Sequence, residues 1–135
     1  MYKFSEASQK NLDTCDHHLK ILFEQVITRR DCAVVCGHRG EVDQNAAFNS
    51  GKSKLKFPLS KHNTDPSEAV DVYPCVNGRI ATDEDSCRVF GGFVMGMASA
   101  MGMSIRWGGD WDRDADVNDN TFNDLVHFET IARTK

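Results

Sequence analysis

The feature that most limits how this chain can fold is a run of 17 residues, 89–105, without a single charged side chain. The run is shorter than the roughly 20 apolar residues that span a bilayer, and it contains four glycines and two serines. We therefore predict a buried helix over residues 83–103 and no membrane span. Its small residues would let the helix pack closely on a sheet.

Composition limits the class of protein further. The chain has 135 residues, 40% hydrophobic and 27% charged, with a formal net charge of −4. These values are typical of one globular domain over residues 1–135, which we expect to be a monomer. The negative charge argues against a nucleic-acid partner, because phosphate binding requires a basic surface.

The cysteines and the N-terminus bear on the compartment. Five cysteines without a tight framework indicate reduced thiols. The first residues lack the apolar segment of a signal peptide. We therefore expect the protein to be made and kept in a cytoplasm.

Residue patterns predict the order of the helices and strands. Apolar periodicity favours a helix at residues 5–28. A short helix is predicted at residues 41–50, with Gly51 as its stop, and the second long helix at residues 83–103. Strands are predicted at residues 32–36, 69–73, 104–107 and 125–131, with a turn or hairpin at Asn77-Gly78. Residues 52–67 and 108–120 are predicted as loops. This order predicts the α+β class, with helices on one face of a small, mainly antiparallel sheet.

Three side chains form a candidate zinc site: His62, Asp71 and His127. Zinc accepts nitrogen, sulfur and carboxylate ligands, and a catalytic site uses three of them and leaves one position for water. Asp71 lies between Val70 and Val72, where a carboxylate is costly to bury unless it is paired or bound to a cation. These residues alone also fit ordinary surface or core histidines and an Asp71 paired with an arginine.

Two other groups suggest metal or redox chemistry. Five carboxylates of the acidic loop invite a calcium interpretation: Asp110, Asp112, Asp114, Asp116 and Asp119. They lack the glycine and the final glutamate of an EF-hand loop, so we favour a solvated loop. Cys32 and Cys36 are predicted to point to the same face of a buried strand, as structural thiols.

Four segments occur in a fixed order along the chain: Ser60-Lys61-His62, Ala69-Val70-Asp71, Trp107-Gly108-Gly109-Asp110-Trp111 and Asp124-Leu125-Val126-His127-Phe128-Glu129. Together with Gly37-His38-Arg39, Gln44 and Gly51-Lys52-Ser53, they closely resemble the phage endolysins of the L-alanyl-D-glutamate peptidase type, within the zinc D-Ala-D-Ala carboxypeptidase family. The resemblance spans nearly the whole chain and implies a Hedgehog/DD-peptidase-like fold.

The resemblance also implies roles for individual residues. His62, Asp71 and His127 would bind Zn²⁺. Asp124, three residues before the last histidine, would be the catalytic carboxylate, and Arg39 would bind the substrate or its oxyanion. Three further residues would have substrate-binding or supporting roles: Ser60, Gln44 and Trp107.

One segment departs from the family pattern. The stretch between His62 and Asp71 is longer than the common form and lacks its glycine, which makes Asp65 and Glu68 rival ligands. Asp71 is favoured because its strand and the following Pro74 match the pattern.

The implied function is hydrolysis of the peptidoglycan stem peptide at the L-Ala–D-Glu bond, by a protein held in the host cytoplasm until lysis. Basic residues are candidates for contacting the carboxylates of that peptide: Arg39, Lys54, Lys61 and Arg106. One alternative is a D,D- or L,D-carboxypeptidase of cell-wall metabolism. Another is a non-catalytic zinc-binding module, like the signalling domain of Hedgehog proteins. Asp124 argues against a pure binder, which needs no proton shuttle.

Overall fold

A computed structural model describes residues 2–110 and 124–131 of the chain. Within those residues the helices are α1 (Glu6–Leu12), α2 (His17–Val26), α3 (Glu41–Asn49) and α4 (Glu84–Ala100), with a 3-10 turn at Lys61–Asn63. The strands are β1 (Cys32–Cys36), β2 (Ala69–Val76), β3 (Arg79–Ile80), β4 (Ile105–Gly108) and β5 (Asp124–Thr130). They pair antiparallel in the order β1-β2-β5-β4, and β3 pairs with β2.

One face of the sheet packs against helices in the core, and the other borders a cleft. Alternation along β2 and β5 places Val70, Val72 and Phe128 in the core, where α2 and α4 pack on the sheet. Asp71 and His127 therefore point to the opposite face, which borders an open cleft. The predicted α+β class, with helices packed on one face of a mainly antiparallel sheet, is confirmed.

The predicted helix over residues 5–28 is wrong, because the chain forms two helices with a break at residues 13–16. Asp16 caps α2 by accepting a hydrogen bond from the His18 backbone N–H at 2.8 Å. The backbone N–H of Asp16 donates to the Ser67 carbonyl at 2.7 Å. In a continuous helix the Asp16 N–H would instead bond to a carbonyl one turn earlier, and the Asp16 side chain would not cap a helix. Capping and the tertiary bond to Ser67 therefore outweigh the apolar periodicity.

The other predicted elements match the structure within a few residues. Asn77 and Gly78 both have positive φ, 53° and 77°, and close the hairpin between β2 and β3. Gly51, at φ 81°, follows α3 as the predicted stop. No helix in residues 2–110 or 124–131 is long and apolar enough to cross a membrane.

A bulge in β1 makes the prediction for Cys32 and Cys36 wrong. Val34 pairs with Val72, but Cys36 pairs with Asp71, so the register shifts between them. The extra residue on β1 turns the following side chain to the other face. Cys32 consequently lies in the core, whereas Cys36 lies beside His62 on the cleft side.

Close packing of α4 depends on one glycine. A Cβ atom built on Gly91 would lie 2.2 Å from the indole ring of Trp107, so no larger residue fits there. The ring is fixed by stacking on Phe128, with centroids 6.5 Å apart, and by donating its Nε1–H to the Leu125 carbonyl at 2.8 Å. By contrast, Gly92 and Gly96 face open space. Close packing of α4 on the sheet therefore explains Gly91 but not these two glycines.

We expect Gly91→Ala to lower the free energy of unfolding by about 1–3 kcal/mol, because the added methyl group overpacks a rigid ring. Gly92→Ala, one residue along the same helix, meets no atom within 4 Å. That control should raise stability by about 0.5–1 kcal/mol through helix propensity. Urea unfolding monitored by circular dichroism measures both, and equal effects would contradict this packing account.

Candidate metal centre and active-site cleft

Asp71 and His127 are directly opposite each other on neighbouring strands, β2 and β5. Opposite residues of an antiparallel pair project to the same face with Cβ atoms about 5 Å apart. Both side chains therefore enter the cleft together. The backbone alone brings two of the three predicted metal ligands into contact.

The 3-10 turn delivers His62 to the same point. Ser60 caps this turn by accepting a hydrogen bond from the His62 backbone N–H at 3.2 Å, while Asn63 Oδ1 accepts from the Ser60 N–H. The carbonyl of His62 accepts from the Arg39 N–H at 2.7 Å. Ser60, predicted to have a substrate-binding or supporting role, thus supports the ligand by fixing its backbone.

His62, Asp71 and His127 each direct one donor atom to a common point. His62 Nε2 lies 3.2 Å from both His127 Nδ1 and Asp71 Oδ1, and His127 Nδ1 lies 3.3 Å from Asp71 Oδ1. With bonds of about 2.0–2.1 Å, two ligands of a tetrahedral zinc site lie about 3.3 Å apart. The three atoms therefore have the spacing of one face of such a tetrahedron.

Hydrogen bonds on the far side of each ring determine which nitrogen faces this point. His62 Nδ1 donates to the Gly37 carbonyl at 2.8 Å, and His127 Nε2 donates to Glu129 Oε1 at 2.9 Å. Carbonyl and carboxylate oxygens only accept, so these nitrogens carry the protons. In the neutral rings, the two facing nitrogens and the Asp71 oxygen are all acceptors. Such a triangle requires a cation, which makes its donor set suited to a metal ion.

The pKa values reflect the same need for a cation. Burial opposes protonation of His62, but the hydrogen bond from His62 to Asp71 raises the pKa of the ring to about 10. Burial likewise opposes ionisation of Asp71, yet hydrogen bonds from His127 and His62 hold its pKa well below the usual range. These hydrogen bonds form only when a ring is protonated on its facing nitrogen, so both shifts favour a positive charge at the point that suits a metal ion.

Cys36, which was predicted to be a structural thiol, lies close enough to His62 and Asp71 to be a fourth candidate donor. Its sulfur lies 3.8 Å from His62 Nδ1, and the thiol can be grouped with His62 and Asp71 within 4.8 Å. However, Nδ1 is the nitrogen that donates to Gly37. The thiol therefore borders the metal site from behind the His62 ring, and His127 completes the set better.

Asp124 stands at the start of β5, with a carboxylate oxygen within 4.8 Å of the donor atoms of Asp71 and His127. Burial, and next the negative charge of Asp71, raise its pKa. A carboxyl group with a raised pKa beside a metal site is suited to accepting and returning a proton. The predicted catalytic carboxylate thus lies at the predicted ligands.

The Trp107-Gly108-Gly109 segment explains how Asp124 is positioned. A Cβ on Gly108 would lie 2.0 Å from the Asp124 carbonyl oxygen, and one on Gly109 would lie 2.4 Å from the Trp107 ring. Trp107 is only 4% exposed and does not line the cleft among the described residues. This burial in the core beneath β5 favours the supporting role for Trp107 over the substrate-binding one.

Arg39 lies beside the metal site and is held by Gln44. Its guanidinium donates to Asp71 Oδ2 at 3.3 Å and to Gln44 Oε1 at 3.1 Å. Gln44 is fully buried and donates to Ser53 Oγ and to the Leu55 carbonyl. Gln44 is therefore a supporting residue, and Arg39 covers the Asp71 oxygen that points away from the histidines.

The rival ligands do not reach this point. Asp65 is exposed, and Glu68 lines a separate cavity of about 440 Å³ with Asp16 and His18. Neither belongs to a possible ligand group in the described part of the chain. Most of the acidic loop, which was predicted to be solvated, lies outside the described residues, including Asp112, Asp114, Asp116 and Asp119.

An open cleft of about 960 Å³ surrounds the three ligands and Asp124. Its walls come from α3, the 52–62 segment and the exposed face of the sheet. All four basic residues predicted to meet substrate carboxylates line it: Arg39, Lys54, Lys61 and Arg106. The cleft thus combines a candidate metal site with positive charge, despite the negative charge of the whole chain.

Two residues of the cleft were missed as site residues. Glu129, only 6% exposed, accepts a hydrogen bond from His127 Nε2–H and pairs with Arg106. Burial opposes its ionisation, but the His127 and Arg106 contacts lower its pKa to about 2. Tyr73 also lines the cleft. The alternation that placed Tyr73 on the same side as Asp71 was the available signal for it.

Comparisons with known proteins identify the family and the fold. The model of the family described as phage L-alanyl-D-glutamate peptidase matches residues 1–131. The crystal structure of Serratia marcescens L-Ala D-Glu endopeptidase ChiX is similar, with a TM-score of 0.71 and 21% identity. The match covers 96% of this chain and 90% of that chain, and shows a shared fold. No curated protein sequence matches.

Proposed function

The chain belongs to the phage L-alanyl-D-glutamate peptidase family and is a peptidase that cleaves peptidoglycan, and we propose that it uses zinc bound by His62, Asp71 and His127. The observation that carries this proposal is the triangle of three acceptor atoms, 3.2–3.3 Å apart. Bound zinc would lower the pKa of a coordinated water to about 7 and polarise a carbonyl group.

Asp124 supplies the proton transfer in this proposal. Its carboxylate accepts a proton from the attacking water and returns it to the nitrogen of the leaving amine. The raised pKa of Asp124 favours both steps, because general acid–base catalysis is most efficient when the pKa approaches the working pH. Burial and the nearby negative charge of Asp71 raise the pKa of Asp124, whose carboxylate lies next to the proposed metal ligands.

Arg39 supplies positive charge on the cleft side of Asp71. Its fixed fork suits a carboxylate or a developing oxyanion of the substrate. Lys54, Lys61 and Arg106 add charge along the same cleft, which suits a stem peptide with several carboxylates. We propose the L-Ala–D-Glu bond as the site of cleavage, in host cell lysis after synthesis in the host cytoplasm.

Arg39→Lys should lower kcat/KM by about 10²–10³-fold, because lysine keeps the charge but loses the fork that positions it. Zinc binding should persist, since none of the proposed ligands changes. Arg79→Lys is the control, because Arg79 is exposed on β3 and does not line the cleft. Steady-state kinetics on a soluble stem peptide measure both variants, and an unchanged Arg39→Lys enzyme would remove Arg39 from the mechanism.

Product analysis tests the proposed bond. Purified peptidoglycan is digested with the zinc-loaded protein, and the new amino termini are identified by mass spectrometry. New amino-terminal D-Glu is expected. Free D-Ala as the sole product would instead identify a D,D- or L,D-carboxypeptidase, and the absence of any product would favour a zinc-binding module.

A further inference from the structure

We infer that Glu129 is a positioning residue, which orients His127 for the metal through a hydrogen bond to the far side of its ring. This inference rests on the proposed zinc site. The evidence is the 2.9 Å contact between His127 Nε2 and Glu129 Oε1. Residues two apart on a strand project to the same face, so β5 places the two side chains next to each other.

The contact selects one form of the His127 ring. A neutral imidazole carries one proton, which either nitrogen can hold. Glu129 accepts from Nε2–H, so Nδ1 keeps its lone pair toward His62 and Asp71. Without that acceptor, the ring would be free to rotate or to hold its proton on Nδ1, where it would compete with a metal ion.

Two cations fix the carboxylate itself. Arg106 donates to Glu129 Oε2 at 2.8 Å, and Lys61 Nζ lies 3.3 Å from the same oxygen. Arg106 is the direct cross-strand partner of Glu129 on β4. One oxygen is thus held by the cations, and the other is left to His127.

The Lys61 contact also joins the two ligand-bearing segments. Lys61 precedes His62 in the 3-10 turn, and its ammonium donates to the Thr130 carbonyl as well as pairing with Glu129. The turn that carries His62 is therefore tied to the strand that carries His127. Glu129 stands at the centre of this connection.

A buried counter-ion for Arg106 and Lys61 is the competing role for Glu129. The two roles differ in what they require. A counter-ion needs the negative charge, whereas a positioning residue needs an acceptor at the right distance. Glu129→Gln keeps the length and an acceptor oxygen but removes the charge. Glu129→Asp keeps the charge but withdraws the acceptor by one methylene group.

The experiment measures zinc dissociation constants by competition with a chromogenic chelator, for the full-length wild type, Glu129→Asp and Glu129→Gln. Glu129→Asp should bind zinc about 10–100-fold more weakly, the usual cost of losing such a contact. Glu129→Gln should lose less zinc affinity than Glu129→Asp, because it keeps an acceptor oxygen at the same distance. Glu84→Gln, an exposed carboxylate on α4, should match the wild type.

The outcomes separate this inference from the proposed function. Glu129→Asp with wild-type affinity, or Glu129→Gln weaker than Glu129→Asp, would overturn the positioning role. A wild-type protein that binds no zinc, or a His127→Ala variant that binds as tightly, would overturn the zinc site itself. Urea unfolding in excess chelator checks that both Glu129 variants fold, and Glu129→Asp alone is sufficient to refute the positioning role.

Discussion

Asp124→Asn is expected to lower kcat by about 10²–10⁴-fold while leaving zinc bound at one ion per chain. Asparagine has nearly the same shape as aspartate, but its amide cannot accept the proton of the attacking water. The side chain lies within 4.8 Å of the Asp71 and His127 donor atoms without belonging to the triangle of ligands. The Asp124→Asn variant should therefore lose catalysis but keep its bound zinc.

Asp65→Asn is the matched control for this variant. Asp65 is exposed in the segment between His62 and β2, and it was a rival ligand on sequence grounds. Its replacement should leave both zinc content and kcat unchanged. Steady-state rates on a soluble stem peptide, together with metal analysis of each purified variant, make the comparison. An active Asp124→Asn enzyme would show that another group transfers the proton.

His127→Ala should abolish the stabilisation of the protein by zinc. Wild-type protein at a zinc concentration a thousandfold above the dissociation constant should gain about 4 kcal/mol in unfolding free energy. The variant should gain little, because His62 and Asp71 alone form an incomplete site. Activity should be lost with the metal.

Urea unfolding with zinc and with excess chelator measures this difference. His38→Ala is the control, since His38 is exposed and its backbone, not its ring, donates to Thr14 Oγ1. That variant should keep the full zinc-dependent gain. A gain of the same size in His127→Ala would mean that the metal binds elsewhere, with Cys36, His62 and Asp71 as the alternative donors.

Strand periodicity and family resemblance point to the same residues for the candidate metal site. Alternation along a strand puts Asp71 on the other face from Val70 and Val72, and the structure has the two valines in the core and Asp71 at the cleft. His127 lies opposite Asp71 in the adjacent strand. That pairing depends on the register of β2 against β5, which the sequence does not encode locally. Resemblance to the family provided it instead.

The misplaced features share a physical cause, which is contact between distant segments. The break before α2 depends on the bond from Asp16 to Ser67. The position of Cys36 depends on a β-bulge that has no glycine or proline to mark it. In the first case local periodicity identified the apolar residues but not the tertiary hydrogen bond, and in the second it did not indicate the shift in strand register.

The role of Glu129 was hidden for a related reason. Its place two residues after His127 is evident in the sequence, and strand geometry implies that the side chains are neighbours. Which nitrogen of His127 faces the metal cannot be read from spacing, because it depends on the side of the ring that Glu129 contacts. Trp107 is a different case, because this residue of a family motif is buried in the core and does not line the cleft among the described residues.

Zinc titration of the chelator-treated protein, read as hydrolysis of purified peptidoglycan, tests the central claim most directly. Activity should be absent without metal, rise in proportion to added zinc and reach its plateau at one equivalent per chain. His127→Ala should stay inactive throughout the titration. Full activity of the metal-free protein, or a plateau unaffected by loss of His127, would contradict catalysis at a metal held by His62, Asp71 and His127.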